Sequence, residues 1–283
     1  MNNRNLTAAA PNGAIAATCV VHKTVLSCNT NTSFFYFTAN QLLKLLSNAV
    51  LVGTGPGNGG VAIKADQTSG VILGQNVAFY NFGIGIQLVQ QSLVDAPYVT
   101  GFGECRTAVF TENFGTFTSE NAHVSCNEYG FRSGNRGVIY ANDSVTAGAN
   151  VHGALAENDG LVAIPNSNVT GCVLAGCKAM TGGCICGAGK ASIRNASHGF
   201  LVTMGGILLD TVNASYNTAN GVHSIFNSTC IIRSSVMNNN VWGIRAENNC
   251  YCDTLSSTFS GNSSGTRSPS ANTTGNTEAY IYG

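Results

Sequence analysis

Between residues 85 and 265 the chain repeats itself. Gly85, Ala108, Gly130, Gly153, Gly176, Gly199, Gly221, Gly243 and Gly265 follow one another at intervals of 22 or 23 residues. Seven residues after these positions stand Ser92, Gly115, Gly137, Gly160, Gly183, Gly206, Ser228 and Cys250. Each unit is thus a short piece of seven residues and a long piece of fifteen or sixteen. A fixed period in this range points to a stacked repeat architecture, not to an ordinary globular core. The unit beginning at Gly199 shows its make-up. Gly199 to Gly206 reads as a strand and a turn, Ile207 to Asp210 as a second strand, and Val212 to Asn217 alternates like a third before Thr218 to Gly221 turns the chain back. Three short strands and three tight turns per unit make one coil of a parallel β-helix. Glycine at the repeat position implies a corner with positive φ or a close backbone approach.

Equivalent residues of stacked coils should pile up at the ~4.8 Å strand spacing. One residue past the repeat position stand Ile86, Val109, Phe131, Ala154, Cys177, Phe200, Val222 and Ile244, an apolar column assigned to the interior. Six before it stand Phe79, Phe102, Val124, Ala147, Thr170, Ile193, Ser215, Met237 and Phe259, a second, mostly apolar column. Two past it stand Gln87, Phe110, Arg132, Leu155, Lys178, Leu201, His223, Arg245 and Arg267, mixed and often charged, as an outward column should be. Asn195, Asn217 and Asn239, four before the repeat position, form a candidate amide ladder.

The expected fold is all-β: a single-stranded parallel β-helix of about nine to ten coils of 22–23 residues with a short N-terminal capping helix. Residues 1–39 read as an N-terminal arm or attachment segment, 40–60 as the capping helix and a glycine-rich loop, 61–268 as the β-helix, and 269–283 as a C-terminal cap or tail. The helix is expected over Asn40 to Ala49, with Leu42, Leu43, Leu45 and Leu46 covering the open end of the coil stack. The loop Thr54 to Gly60 lacks the Lys-Ser/Thr of a phosphate loop.

Only 9% of the residues are charged, against ~25% in typical soluble domains, and 13 basic residues balance 13 acidic ones. A neutral surface of Ser, Thr, Asn and Gly argues against nucleic acid, which needs clustered Lys and Arg. No apolar run approaches the ~18 residues of a membrane-spanning helix, so no membrane insertion is expected. Such a surface suits sugars or subunit contacts. The eleven cysteines have no disulfide-framework spacing and no tetrahedral ligand spacing, so neither a metal nor another cofactor is expected. Cys184-Ile-Cys186 and Cys250-Tyr-Cys252 are C-x-C pairs. Counting back from the next repeat position puts Cys186, Cys230 and Cys252 in one buried column, and Cys126 and Cys172 in another. Reduced thiols favour assembly in a cytoplasm.

Glu112 and Glu157 both lie four residues past the repeat position, two coils apart and so roughly 9–10 Å from each other. Inverting glycosidases hold their carboxylates about 6.5–9.5 Å apart, which makes these two a candidate general acid and general base; a solvated polar face with surface ion pairs is the other reading. Candidate glycan-binding residues are Arg132, Tyr216, His223, Trp242, Arg245 and Tyr251, aromatic faces beside basic and amide groups.

The asparagine- and glycine-rich coils, exemplified by Asn217-Thr-Ala-Asn-Gly-Val222 and Asn238-Asn-Asn-Val-Trp-Gly-Ile244, resemble the right-handed β-helices of the pectate-lyase-like class, and within it bacteriophage tailspikes. The resemblance covers roughly residues 40–270. It implies a homotrimer on the virion tail, assembled in the host cytoplasm, attached to phage tail proteins through the N-terminal segment and recognising host-surface polysaccharide. It leaves three functions open: a binding spike, a depolymerase of the inverting glycoside hydrolase type, or a structural decoration protein. The chain is short for such a spike and carries no large C-terminal domain. No Arg-x-Pro-x-x-Arg stretch is present, so calcium-dependent elimination is not implied.

Overall fold

The computed structural model describes residues 24–27, 33–38, 41–148, 151–189, 191–194, 196–268 and 280–282. They form an all-β solenoid of short parallel strands in three sheets, here A, B and C, through which the chain passes in that order on each coil. Sheets B and C each hold eleven strands; sheet A holds eight and continues as isolated bridges from Ser192 to Asn213, Val236 and Thr258. The first coil is Thr24–Ser27, Ser33–Phe37 and Leu42–Leu46; the last ends on Tyr280–Tyr282, which pairs with Tyr251–Asp253 in sheet C.

The capping helix expected over 40–49 is a correction. Leu42–Leu46 is a strand of sheet C that pairs with Gly70–Leu73, and Ala49–Val52 is the next strand of sheet A. Leucine favours helix by only a few tenths of a kcal/mol per residue, and a helix this short is marginal alone; an open sheet edge that completes each strand's backbone hydrogen bonds outweighs both terms. The glycine-rich loop contains a single 3-10 turn, Pro56–Asn58. The expected arm lies largely outside the described residues, apart from the first two strands of the first coil.

The inner column of sheet B stacks as the repeat requires. Ile86, Val109, Phe131, Ala154, Cys177, Phe200, Val222 and Ile244 are partners on successive rungs and all are buried. The sheet A column holds Phe79, Phe102, Val124, Thr146, Val169 and Ile193, so Thr146 and Val169 stand where counting put Ala147 and Thr170; farther along, Ala214 is fully buried at the level assigned to Ser215. The Phe79 and Phe102 rings stack at 5.1 Å, and one continuous core runs from Ala49 to Ile281. On the final rung Arg267 pairs with Ile244, not with Arg245 as the count put it, and is half-buried against the Phe259 ring.

Three corners close each coil by different means. Between A and B, the repeat glycines from Gly85 to Gly243 are forced by space and not by positive φ, whereas Gly265 on the last rung has a φ of 145°. A Cβ on Gly199 would stand 2.6 Å from the Gly221 carbonyl oxygen, and one on Gly85 would stand 2.6 Å from that of Ala108. Between B and C, paired left-handed residues such as Asn113-Phe114, Asn135-Arg136 and Asn158-Asp159 make two-residue turns, which asparagine tolerates best. Between C and A, a buried serine ladder serves the backbone: Ala122 N donates to Ser144 Oγ at 3.1 Å and Ser144 N donates to Ser167 Oγ at 3.0 Å.

The amide ladder exists, through Asn217 as expected but continuing at Asn240, not Asn239. Ala196 N donates to Asn217 Oδ1, Asn217 N to Asn240 Oδ1 at 2.9 Å, and Asn240 N to Asn262 Oδ1 at 2.9 Å. Asn239 instead takes a left-handed turn conformation, and Asn195 lies outside the described residues.

Candidate functional site

Three parallel columns of sheet B flank its core column. The first carries Tyr129, His152, Ala175, His198, Asn220 and Trp242. The second carries Phe110, Arg132, Leu155, Lys178, Leu201, His223 and Arg245. A third, at the strand ends, runs through Glu157, Met180, Thr203, Ile225 and Glu247. Columns two and three lie two residues apart on each strand and so share a face. Column one lies three residues before column two and is brought beside it where the Arg132 guanidinium covers the Tyr129 ring and where His198 packs on His223. Four of the six expected glycan-binding residues stand in these columns: Arg132, His223 and Arg245 in the second, and Trp242 in the first, beside Gly265 of the next rung. The other two do not: Tyr216 occupies a left-handed turn with Arg194 against its ring, and Tyr251 lies on the outer face of sheet C.

Two clusters stand on the surface. In the first, the Arg132 guanidinium lies 5.0 Å from the Phe110 ring centre and 5.3 Å from that of Tyr129, while Nε and Nη2 both meet Glu157 Oε1 at 2.7 Å. Tyr129 in turn leans on His152, with ring centres 6.1 Å apart. Guanidinium over aromatic face, locked by a carboxylate, is a preorganised arrangement whose remaining N–H donors point away from the pair. Glu112 belongs to the same register as Glu157, with Gly134 on the rung between, since Thr111, Ser133 and Ala156 precede them as partners.

The second cluster lies toward the C-terminal end. His198 and His223 pack at 5.0 Å between ring centres, and Asn220 Nδ2 reaches His198 Nδ1 at 3.2 Å. Glu247 pairs with Arg245 and lies 3.7 Å from His223 Nε2. Burial pushes His198 down to about 4, helped by the neighbouring His223 and Arg245, and it is burial again that lowers His223, against the pull of Glu247. Burial, with Lys178 close by, holds His152 at about 4. A neutral His198 accepts the Asn220 amide through Nδ1. Trp242 and the histidines were legible as types, but the column that lines His198, Asn220 and Trp242 up was not, because it depends on the pairing of residues 22 apart.

Among the described residues no three His, Cys, Asp or Glu side chains gather into a metal cluster, and no helix is long and apolar enough to cross a membrane. Of the cysteines, Cys230 and Cys252 stack as partners in the core and Cys126 and Cys172 are buried, but Cys186 pairs with Leu208 on the outer face. Its thiol is hydrogen-bonded to that of Cys184 at 3.9 Å; this bond lowers Cys184 to about 7 and raises Cys186.

Fold and surface together define a class: a parallel β-solenoid that carries a polar, aromatic strip on one sheet. No family model matches the chain, and no curated protein matches it. Among solved structures it is similar to the Azotobacter vinelandii mannuronan C-5 epimerase AlgE4 A-module, at 15% identity and a TM-score of 0.41, over 88% of this chain and 86% of that one. That likeness is too distant to carry an argument about chemistry, which therefore rests on the residues themselves.

Proposed function

We propose that this protein recognises an extended polysaccharide along the outer face of sheet B, as a virion tail spike that attaches to the host surface. The observation that carries the binding role is Arg132, fixed between two aromatic rings and a carboxylate on a flat sheet whose rungs recur every ~4.8 Å. Aromatic faces take the apolar faces of sugar rings, and fixed N–H donors and carboxylates take their hydroxyls. The second cluster, with Trp242 and Arg245, offers a further contact along the same chain of sugars. The virion role, the homotrimer and attachment through the N-terminal segment rest on the tailspike resemblance.

The test is direct. The purified chain is applied to an array of bacterial surface polysaccharides and to cells bearing them, with its mass in solution measured alongside. Binding that falls on Arg132→Ala supports the reading; absence of binding to any surface glycan overturns it. A mass other than three chains removes the trimer.

A depolymerase is the second reading, favoured by one observation: Glu112 and Glu157 share a register with only glycine between them. Here one carboxyl protonates the leaving oxygen while the other activates a water. The Arg132 contact gives Glu157 the part of the fixed carboxylate. If the bound polysaccharide is shortened by the wild type and equally by Glu112→Gln and Glu157→Gln, these two residues leave the mechanism.

A further inference from the structure

Cys184 and Cys186 stand apart from the other described cysteines. They are half-buried on the outer face of sheet C, whereas Cys105, Cys126, Cys172, Cys177, Cys230, Cys250 and Cys252 are buried. Two residues apart on one strand, Cys184–Gly187, they point the same way, and their sulfurs lie 3.9 Å apart. We propose that this pair is a chelating site for a thiophilic d10 cation of the zinc or cadmium kind, held by two thiolates with its other positions open to water.

Geometry decides between chelation and a disulfide. Residues i and i+2 of a strand lie about 6.6 Å apart along it, while a disulfide needs its Cβ atoms within about 3.5–4.5 Å. Strand Cys184–Gly187 is bonded on both sides, to Leu161–Ala163 and Gly206–Asp210, so its backbone is not free to contract. A single ion bridges the gap without any movement. With metal–sulfur bonds of ~2.3 Å, half of the 3.9 Å separation corresponds to a half-angle of ~58°, hence ~116° at the ion, close to tetrahedral. Access is open on one side, because the partner of Cys184 on the next rung is Gly206, where a Cβ would meet nothing nearer than the Thr229 carbonyl oxygen at 3.7 Å. Cys186 lies between Ala163 and Leu208, an apolar rim that disfavours competing hard ions. Binding exchanges the thiol protons for the cation and leaves no electron to account for.

The experiment uses the full chain, reduced and metal-free, titrated with cadmium ion. An ultraviolet sulfur-to-cadmium charge-transfer band should grow to saturation at one ion per chain, with one bound ion in the native mass spectrum. Cys184→Ser and Cys186→Ser, both at the surface and checked for unchanged circular dichroism, should each weaken binding at least tenfold. A band that is missing, or that persists undiminished in the two variants, overturns the site. So does loss of two free thiols to a small-molecule disulfide with no cadmium bound, since that would make the pair a redox couple.

Discussion

Arg132 reaches across one rung to Glu157, and both Nε and Nη2 converge at 2.7 Å on the same carboxylate oxygen, Oε1. The pair leaves the rest of the guanidinium fork directed over the rings of Phe110 and Tyr129. Such an ion pair, about one-third exposed on its arginine side, contributes little to stability; in the binding role proposed above it holds the fork for a ligand. Arg132→Ala should therefore weaken polysaccharide binding about tenfold, ~1.4 kcal/mol, with a denaturation midpoint close to wild type. Arg132→Lys should not restore binding, because an ammonium neither forks nor stacks like a guanidinium. Calorimetry on the polysaccharide identified by the array measures both.

The repeat glycines make a sharper demand on stability. At Gly199 an added methyl would stand 2.6 Å from the Gly221 carbonyl oxygen, 2.9 Å from Asn217 Nδ2 and 3.2 Å from Ala214 Cβ. The nearest atom is backbone, held by the pairing of His198–Thr203 with Asn220–Ile225, and cannot move aside. Gly199→Ala should cost roughly 1–3 kcal/mol, seen as a lower urea midpoint. The same substitution at Gly57, which has nothing within 4 Å, should leave the midpoint almost unchanged.

These glycines also explain how far the fold was legible. They are the one feature that steric necessity repeats on nearly every coil, so positions counted a few residues forward from them, within the same strand, land correctly: Phe131 inside, Arg132 outside, Glu112 level with Glu157. Errors begin where the count crosses a corner. Coils of 22 and 23 residues differ in their corners, so Thr146 replaces Ala147, Asn240 replaces Asn239, and Ile185, not Cys186, joins Ile207 and Cys230 in the core. The serine ladder through Ser144 and Ser167 was missed for the same reason, since a buried hydroxyl looks like any surface serine until its rung is known. At the N-terminal end the leucine run reads as amphipathic helix locally, and the sheet edge that recruits Leu42–Leu46 is visible only in three dimensions.

The asparagine ladder gives a third prediction. Asn240 is 4% exposed; its Oδ1 accepts from Asn217 N, and its Nδ2 donates to Ala214 O at 3.1 Å. Truncation strands a buried donor and a buried acceptor at once. Asn240→Ala should lose about 2–4 kcal/mol, since each unsatisfied buried group costs about 1–3 kcal/mol. Asn238→Ala, on the same corner, removes only the acceptor for Ser260 N at an exposed position and should lose less than half as much. Equal losses in a urea titration would mean that the ladder is not a special source of stability.

His152 supplies the pH dependence. The ring is 4% exposed, its Nδ1 has no hydrogen-bond partner, and burial together with Lys178 holds it at about 4 against an ordinary 6.5. The folded chain thus keeps His152 neutral over a range in which the unfolded chain takes up a proton. Stability is full above pH 6.5 and is lost as pH falls from 6.5 toward 4, because the unfolded state alone gains from protonation. By pH 5 the loss from this residue should be roughly 2 kcal/mol, and His198, also held at about 4 by burial, acts in the same direction. Urea midpoints for wild type and His152→Asn at pH 7 and pH 5 isolate the contribution, since most carboxylates remain ionised over that interval. The wild type should lose more stability across it than the variant does; identical losses would mean that His152 binds its proton equally in the folded and unfolded chain.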